Sequence, residues 1–148
     1  MLPNYQLFCQ VTDFDDGKQF RKTLNAIWEW LSASKSKLNY AVHLEKVELA
    51  TPDAEDFDSY GVFPAIDAAI SLSSLLLLLM GEDEQGAVVI SKLSQGSVEA
   101  FVEATSEQEL DNQQIKQHPL MQWEIEFQQA LLDKLANGKP GKDLAAQL

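Results

Sequence analysis

The sequence predicts an all-α protein, a single-domain helical bundle around one central and mostly buried apolar helix. Apolar residues recur at the spacing of a helix face in several separate stretches of the chain. A nearly uninterrupted apolar tract runs from Pro64 to Met80, with acidic residues on both sides of it. Because 148 residues are the size of one ordinary domain, we expect residues 1–137 to form this bundle and residues 138–148 to be a flexible tail.

Two helices are predicted in the first third of the chain. In KQFRKTLNAIWEWLSAS one helix face would hold Phe20, Leu24, Ile27 and Leu31. Asp16 and Gln19 precede these residues at the positions of an N-cap and its reciprocal partner. A shorter helix should start after Asn39 and end before Pro52, since a proline disfavours helix at the residue before it.

Two further helices are predicted beyond the apolar tract. AVVISKLSQGSVEAFVEAT places Ile90, Leu93, Phe101 and the flanking valines on one side of a helix, with a strand at AVVIS as the alternative. Ser106 and Glu109 match a capping box for a short helix, which His118 and Pro119 should end.

The final helix is predicted in PLMQWEIEFQQALLDKLAN. Its apolar residues form one stripe at Leu120, Trp123, Phe127, Leu131 and Leu135. Gly138 is the expected C-cap. Trp28, Trp30 and Trp123 are interpreted as core or near-surface packing rather than as a ligand cage.

The apolar tract is interpreted as a core helix rather than a membrane span. The 17 residues from Pro64 to Met80 fall short of the roughly 20 that a bilayer requires, and polar residues interrupt them at Asp67, Ser71, Ser73 and Ser74. No basic residues flank the tract to orient a span. We therefore expect Leu75, Leu76 and Leu79 to be nearly fully buried.

Composition and charge limit the classes of partner. The formal net charge of −12 disfavours nucleic acid and anionic membranes, because both require a basic face. The single cysteine, Cys9, excludes an internal disulfide and is expected to be a small buried residue. The amino-terminal residues lack the pattern of a signal peptide, so a cytoplasmic protein of bacterial type is expected.

Several stretches together resemble the YjaG-like family of uncharacterised bacterial proteins. They are LPNYQLFC, IWEWL, HLEK, QWEIEF and, most specifically, DFDSYGVFPAIDAAISLS. The resemblance implies an all-helical, soluble, cytoplasmic protein, and it brings no catalytic residue or cofactor with it. Similar proteins have a further amino-terminal segment before the part that matches LPNY, and this segment is expected to be missing here.

Common catalytic motifs are absent from the sequence. It contains no G-x-G-x-x-G, no P-loop, no G-x-S-x-G, no H-E-x-x-H and no C-x-x-C. The two histidines, His43 and His118, lack the Glu-x-x-His spacing of a di-iron bundle. His43 is interpreted as a packed or solvated side chain, and His118 as the neighbour of a helix end.

One acidic block could hold a cation. Asp53, Glu55, Asp56, Asp58 and Asp67 lie within fifteen residues, and magnesium or manganese binds carboxylate oxygens. The favoured interpretation is structural: Asp53 and Asp67 complement helix amino termini, and Asp56 or Asp58 binds loop amides around Gly61. In that case no metal or other cofactor is expected.

Two hypotheses for function therefore remain. The first is a non-enzymatic helical module that binds another protein or itself. The alternative is a divalent-metal-dependent hydrolase of a phosphorylated small molecule, with Asp56, Asp58, Tyr60 and Asp67 as candidate site residues and Asp56, Asp58 and Asp67 as the metal ligands.

Overall fold

The computed structural model describes residues 1–15, 17–32 and 37–137, and within them the chain is all-α, as predicted. Seven α-helices and one 3-10 helix follow each other along this part of the chain. They are α1 (Leu2–Thr12), α2 (Lys18–Ser32), α3 (Tyr40–Leu49), the 3-10 helix (Ala54–Asp56), α4 (Val62–Met80), α5 (Gly86–Thr105), α6 (Asn112–Gln117) and α7 (Pro119–Asn137). The strand considered at AVVIS is wrong, because these residues belong to α5.

The chain divides into two compact units, one from Met1 to Ile90 and one from Ser91 onward. The boundary lies within α5. Whether residues 1–137 act as one domain stays a prediction. The predicted N-cap Asp16, the predicted C-cap Gly138 and the tail 138–148 lie outside the described residues.

The first unit is organised around α4, which packs against α1, α2, α3 and the 3-10 helix. Its core contains the large side chains of Tyr5, Phe8, Phe20, Ile27, Val47, Val62 and Leu76. It also contains three small side chains on α4, those of Ala65, Ala68 and Ala69, and these let the neighbouring helices come close. The Tyr5 ring stacks on Phe20 with the centroids 3.6 Å apart, and its hydroxyl donates to the Ala50 carbonyl at 2.7 Å. These contacts join α1 to α2 and to the end of α3.

The apolar tract forms a core helix, but it is not equally buried all round. Leu76 is 0% exposed, as predicted, whereas Leu75 and Leu79 are only partly buried, so the prediction for these two was wrong. Ser71 and Ser74 are buried instead. The reason is size, since a serine permits closer helix packing than a leucine does. The Ser71 hydroxyl lies 3.2 Å from the Met1 sulfur.

Among the described helices, α4 alone is long and apolar enough to cross a membrane by length and composition. The core helix of a globular protein passes the same test, and 44% of the qualifying window is buried inside the structure. This finding by itself is weak evidence for a membrane span.

Helix ends follow local signals in several places. The Asn39 side chain caps α3 by accepting from the Val42 amide, and α4 ends at Gly81 in a left-handed conformation with φ 76°. The capping box predicted at Ser106 and Glu109 is wrong, because α6 starts later and uses Asp111 with Gln114. Its end at His118 agrees with the prediction.

The second unit contains the rest of α5 together with α6 and α7, and α6 packs against α7. Among the described residues of this unit, the buried side chains are Val102, Ile115, Met121 and the carboxylate-bearing Glu124. A buried acid in so small a core must be hydrogen-bonded to be tolerated.

Candidate interaction surface

The acidic block predicted as a candidate site is an exposed loop followed by a helix. Asp56, Asp58 and Tyr60 are exposed, and Asp67 is half-buried in the second turn of α4. The amides of Gly61, Val62 and Phe63 donate to Ser59 Oγ, Ser59 O and Tyr60 O, respectively. These amides are thus satisfied without Asp56 or Asp58, and the interpretation that either carboxylate binds them is wrong.

The block is not gathered into a metal centre in the part of the chain that the structure describes. No group of three or more His, Cys, Asp or Glu residues there could hold a metal ion. Asp53 caps the 3-10 helix by accepting from the Glu55 amide at 3.0 Å, in line with its predicted structural role. The geometry gives the magnesium or manganese alternative no support, and the role of Asp67 stays a prediction.

His43 lies half-buried between α2 and α3, 3.1 Å from the Thr23 hydroxyl oxygen at its Nδ1. Burial, and to a smaller extent the charge of Lys46, lowers the pKa of His43 below its ordinary value. Gln19 donates to the same hydroxyl at 3.1 Å. Packing therefore favours the neutral form of the His43 ring, in agreement with the interpretation of it as a packed side chain.

The other histidine and the cysteine also have structural positions. His118 Nδ1 accepts from the Leu120 amide at 3.3 Å, which satisfies one free N–H at the start of α7. Cys9 is 2% exposed, as predicted. Burial raises the pKa of the neighbouring Tyr5 phenol far above its ordinary value. Neither the thiol nor the phenol is accessible for chemistry.

The most unusual surface of the second unit lies on α7. Leu120, Trp123 and Phe127, three members of the predicted stripe, are 43%, 60% and 47% exposed. The rings of Trp123 and Phe127 stack with centroids 5.4 Å apart and an angle of 6° between their planes. We call these three residues the α7 apolar face.

The neighbouring side of α7 explains why this face turns outward. Glu124, which is 7% exposed, accepts from the Ser94 hydroxyl at 2.6 Å and from Gln128 Nε2 at 2.8 Å, both on its Oε1 atom. Ser91 donates to Gln128 Oε1 at 2.7 Å, and Gln95 donates to it at 3.1 Å. Helix α5 therefore offers α7 hydrogen bonds where a bundle core would offer apolar contacts.

The sequence contained a signal for this arrangement. Ser91, Ser94 and Gln95 follow helical spacing on α5, and Glu124 and Gln128 are one turn apart on α7. Two polar stripes of complementary donors and acceptors can pair as two apolar stripes do, provided that every buried group is satisfied. Our sequence reasoning considered apolar stripes alone and missed the pair.

These features define an all-α protein with a polar internal seam and an exposed aromatic face, in which the described residues form no metal centre. Family comparison makes the assignment specific. The model of the family described as "Protein of unknown function (DUF416)" matches residues 1–148, and the chain belongs to this family.

The relatives of the chain are bacterial proteins. It is 41% identical over 131 residues to the uncharacterised protein YjaG of Escherichia coli K12, covering 86% of this chain and 67% of the relative. It is 38% identical to YjaG of Salmonella typhimurium, covering 93% and 70%, and 35% identical to an uncharacterised protein of Haemophilus influenzae, covering 86% and 66%. The chain thus spans about two thirds of the length of the curated relatives that it matches.

A crystal structure of a DUF416 family protein from Shewanella baltica, determined at 1.91 Å resolution, has the same fold. It superposes with a TM-score of 0.87 at 38% sequence identity, and the match covers 99% of this chain and 77% of that one.

Proposed function

We propose that this protein is a non-enzymatic interaction module of the bacterial cytoplasm that binds another protein through the α7 apolar face. The observation that carries the proposal is the stacked pair of Trp123 and Phe127, about half of whose surface is open to solvent. Aromatic residues that are exposed next to each other are the typical centre of a protein interface.

Contacts on α7 order this aromatic pair before any partner docks. Stacking fixes each ring against the other, and the hydrogen bonds of Glu124 and Gln128 fix the rotation of α7 about its axis. A surface that is already ordered loses less conformational entropy when a partner docks. This supports binding as the role of the face.

The partner is a protein rather than a nucleic acid or an anionic membrane, because a net charge of −12 repels both. Self-association is the second form of the same proposal, since an apolar face can pack against the same face of a second copy of the chain. No observation on the described residues favours a metal-dependent hydrolase.

Site-specific photo-crosslinking tests this proposal. Ala130 is exposed and lies one turn beyond Phe127, so a photoreactive residue placed there would touch whatever covers the face. Gln113, exposed on α6, is the matched control position. We expect a discrete adduct from position 130 in bacterial cells, absent from position 113 and lost when Trp123→Ala and Phe127→Ala are combined.

Mass spectrometry of the adduct then separates the two forms of the proposal. An adduct of twice the chain mass identifies a second copy, and any other discrete mass identifies a different protein. Equal labelling from positions 113 and 130, or no adduct from either, would overturn the assignment of the face as an interface.

A further inference from the structure

The first unit contains an apolar cavity of about 180 Å³, lined by side chains of α1, α2, α4 and α5. Part of its wall belongs to the core, because Phe20, Ala68 and Leu72 line the cavity and are buried. The cavity therefore reaches into the packed interior of the unit, where a bound molecule would be surrounded on several sides.

Short side chains on α4 create this space. Ala68 and Ser71 lie three residues apart, so they share one face of the helix with Leu72 and Leu75. A larger side chain at position 68 or 71 would occupy the cavity. Leu75 borders the cavity, which gives a physical reason for its partial burial within the apolar tract.

One polar side chain in the cavity wall is buried with a weak partner. Ser71 is 8% exposed, and its hydroxyl donates to the Met1 sulfur at 3.2 Å. A thioether sulfur is a poor hydrogen-bond acceptor, whereas buried hydroxyls are usually paired with oxygen or nitrogen. An oxygen atom of a ligand in the cavity would give Ser71 a better acceptor than the sulfur does.

The size and charge of the cavity limit the ligand. Apolar cavities of about 150 Å³ in other proteins stay dry and take up a single benzene ring. The described residues that line this cavity include no charged side chain, so an ionised ligand would lose its hydration without a compensating charge. A small neutral molecule fits both limits.

We propose that this cavity is a binding site for a neutral apolar molecule of about the size of one aromatic ring, carrying one oxygen atom that accepts a hydrogen bond from Ser71. The apolar wall provides the contact area, and the Ser71 hydroxyl orients the ligand. The site lies in the first unit, whereas the α7 apolar face belongs to the second, so this inference does not depend on the proposed protein partner.

The test uses three probes of similar shape. Acetophenone carries a carbonyl oxygen, ethylbenzene has no acceptor, and benzoate carries a charge. Isothermal titration calorimetry measures the affinity of each probe for the full chain. Proton NMR then locates the bound ring, since a ligand in the cavity should give nuclear Overhauser effects to the methyl groups of Leu75 and Ile90.

Three variants separate the roles of the hydroxyl and of the space. Ser71→Ala removes the hydroxyl and keeps the cavity, whereas Ser71→Leu fills the cavity. Ser74→Ala is the matched control, because Ser74 is also a buried serine of α4 and does not line the cavity. Circular dichroism confirms that each variant keeps the helix content of the parent.

We expect acetophenone to bind with a Kd of about 1 mM or tighter, ethylbenzene to bind about fivefold more weakly, and benzoate not to bind. Ser71→Ala should weaken acetophenone by about fivefold and leave ethylbenzene unchanged. Ser71→Leu should abolish the binding of both, and Ser74→Ala should affect neither.

Several outcomes would overturn the inference. These are the absence of binding by acetophenone, nuclear Overhauser effects to other parts of the chain only, and the same affinity for acetophenone in the parent and in Ser71→Ala. Equal losses in Ser71→Ala and Ser74→Ala would also overturn it, since they would indicate a general change in the packing of α4. If Ser71→Leu does not fold, the comparison of the two alanine variants decides the outcome.

Discussion

At the scale of single residues, two glycines of α5 have opposite structural roles. A Cβ atom on Gly86 would lie 2.6 Å from the Ser74 carbonyl oxygen and 3.1 Å from Leu78 Cβ, whereas a Cβ atom on Gly96 would have no neighbour within 4 Å. Gly86 thus allows α5 to begin in close contact with α4. At Gly96 there is room for a side chain, so packing does not require a glycine there.

Substitution of the two glycines by alanine should change stability in opposite directions. Gly86→Ala is expected to lower the free energy of unfolding by about 1–3 kcal/mol, because backbone must move to admit the methyl group. Gly96→Ala should raise it by about 0.5–1 kcal/mol through helix propensity. Urea denaturation of both variants measures the difference, and equal effects would contradict the close approach of Gly86 to Ser74.

A second prediction at this scale concerns His43. Its pKa is lowered in the folded chain, mainly by burial, so the unfolded chain takes up the proton first as the pH falls. The stability that comes from keeping His43 neutral is therefore complete above the ordinary histidine value and is lost below it. Unfolding free energies at pH about 7.5 and about 5.5 should differ more for the parent than for His43→Gln.

The comparison with His43→Gln isolates this contribution, because the other titratable side chains are the same in both proteins. If the His43 variant retained the full pH dependence, another group would have to be responsible.

At the scale of whole elements, α4 shows that an apolar helix can be buried unequally. Leu76 is completely buried, whereas Leu75 is only partly buried, although both are leucines in the same apolar run. Leu76→Ala should therefore cost about 2–5 kcal/mol of unfolding free energy, and Leu75→Ala should cost clearly less. Thermal and urea denaturation of both variants would measure this difference in unfolding free energy. Equal losses in the two variants would contradict the orientation of α4.

Helix α7 makes a related point about which side of an element is buried. It has an aromatic stripe and a polar stripe, and the polar one lies against α5 through Ser91, Ser94, Glu124 and Gln128. Burying Glu124 is tolerated because two donors reach its carboxylate oxygen. The element keeps an apolar face at the surface as a direct result.

At the scale of the whole molecule, the dominant property is charge. A net charge of −12 on 148 residues produces repulsion within the folded chain, and dissolved salt screens it. We expect the melting temperature to rise when sodium chloride is increased from about 0.01 M to about 0.3 M. A fall over the same range, measured by differential scanning calorimetry, would mean that favourable ion pairs outweigh the repulsion.

The sequence by itself determined the all-α class, the existence of the main helices and several of their ends. These depend on local physics: the spacing of apolar residues, the cap at Asn39 and the break at His118 and Pro119. It also predicted that Leu76 and Cys9 would be buried, since a strongly apolar position seldom remains exposed in a helix surrounded by others.

Tertiary structure alone decided which helix faces are buried and which acidic side chains lie close together. The sequence predicted the apolar stripe of α7, but burial is a property of two elements together, and α5 presents hydroxyl and amide groups to α7. In the same way, closeness in sequence did not gather Asp56, Asp58 and Asp67 into a metal site among the described residues. The local sequence pattern indicates which faces of a helix could be buried. The neighbouring helix determines which of these faces is buried in the structure.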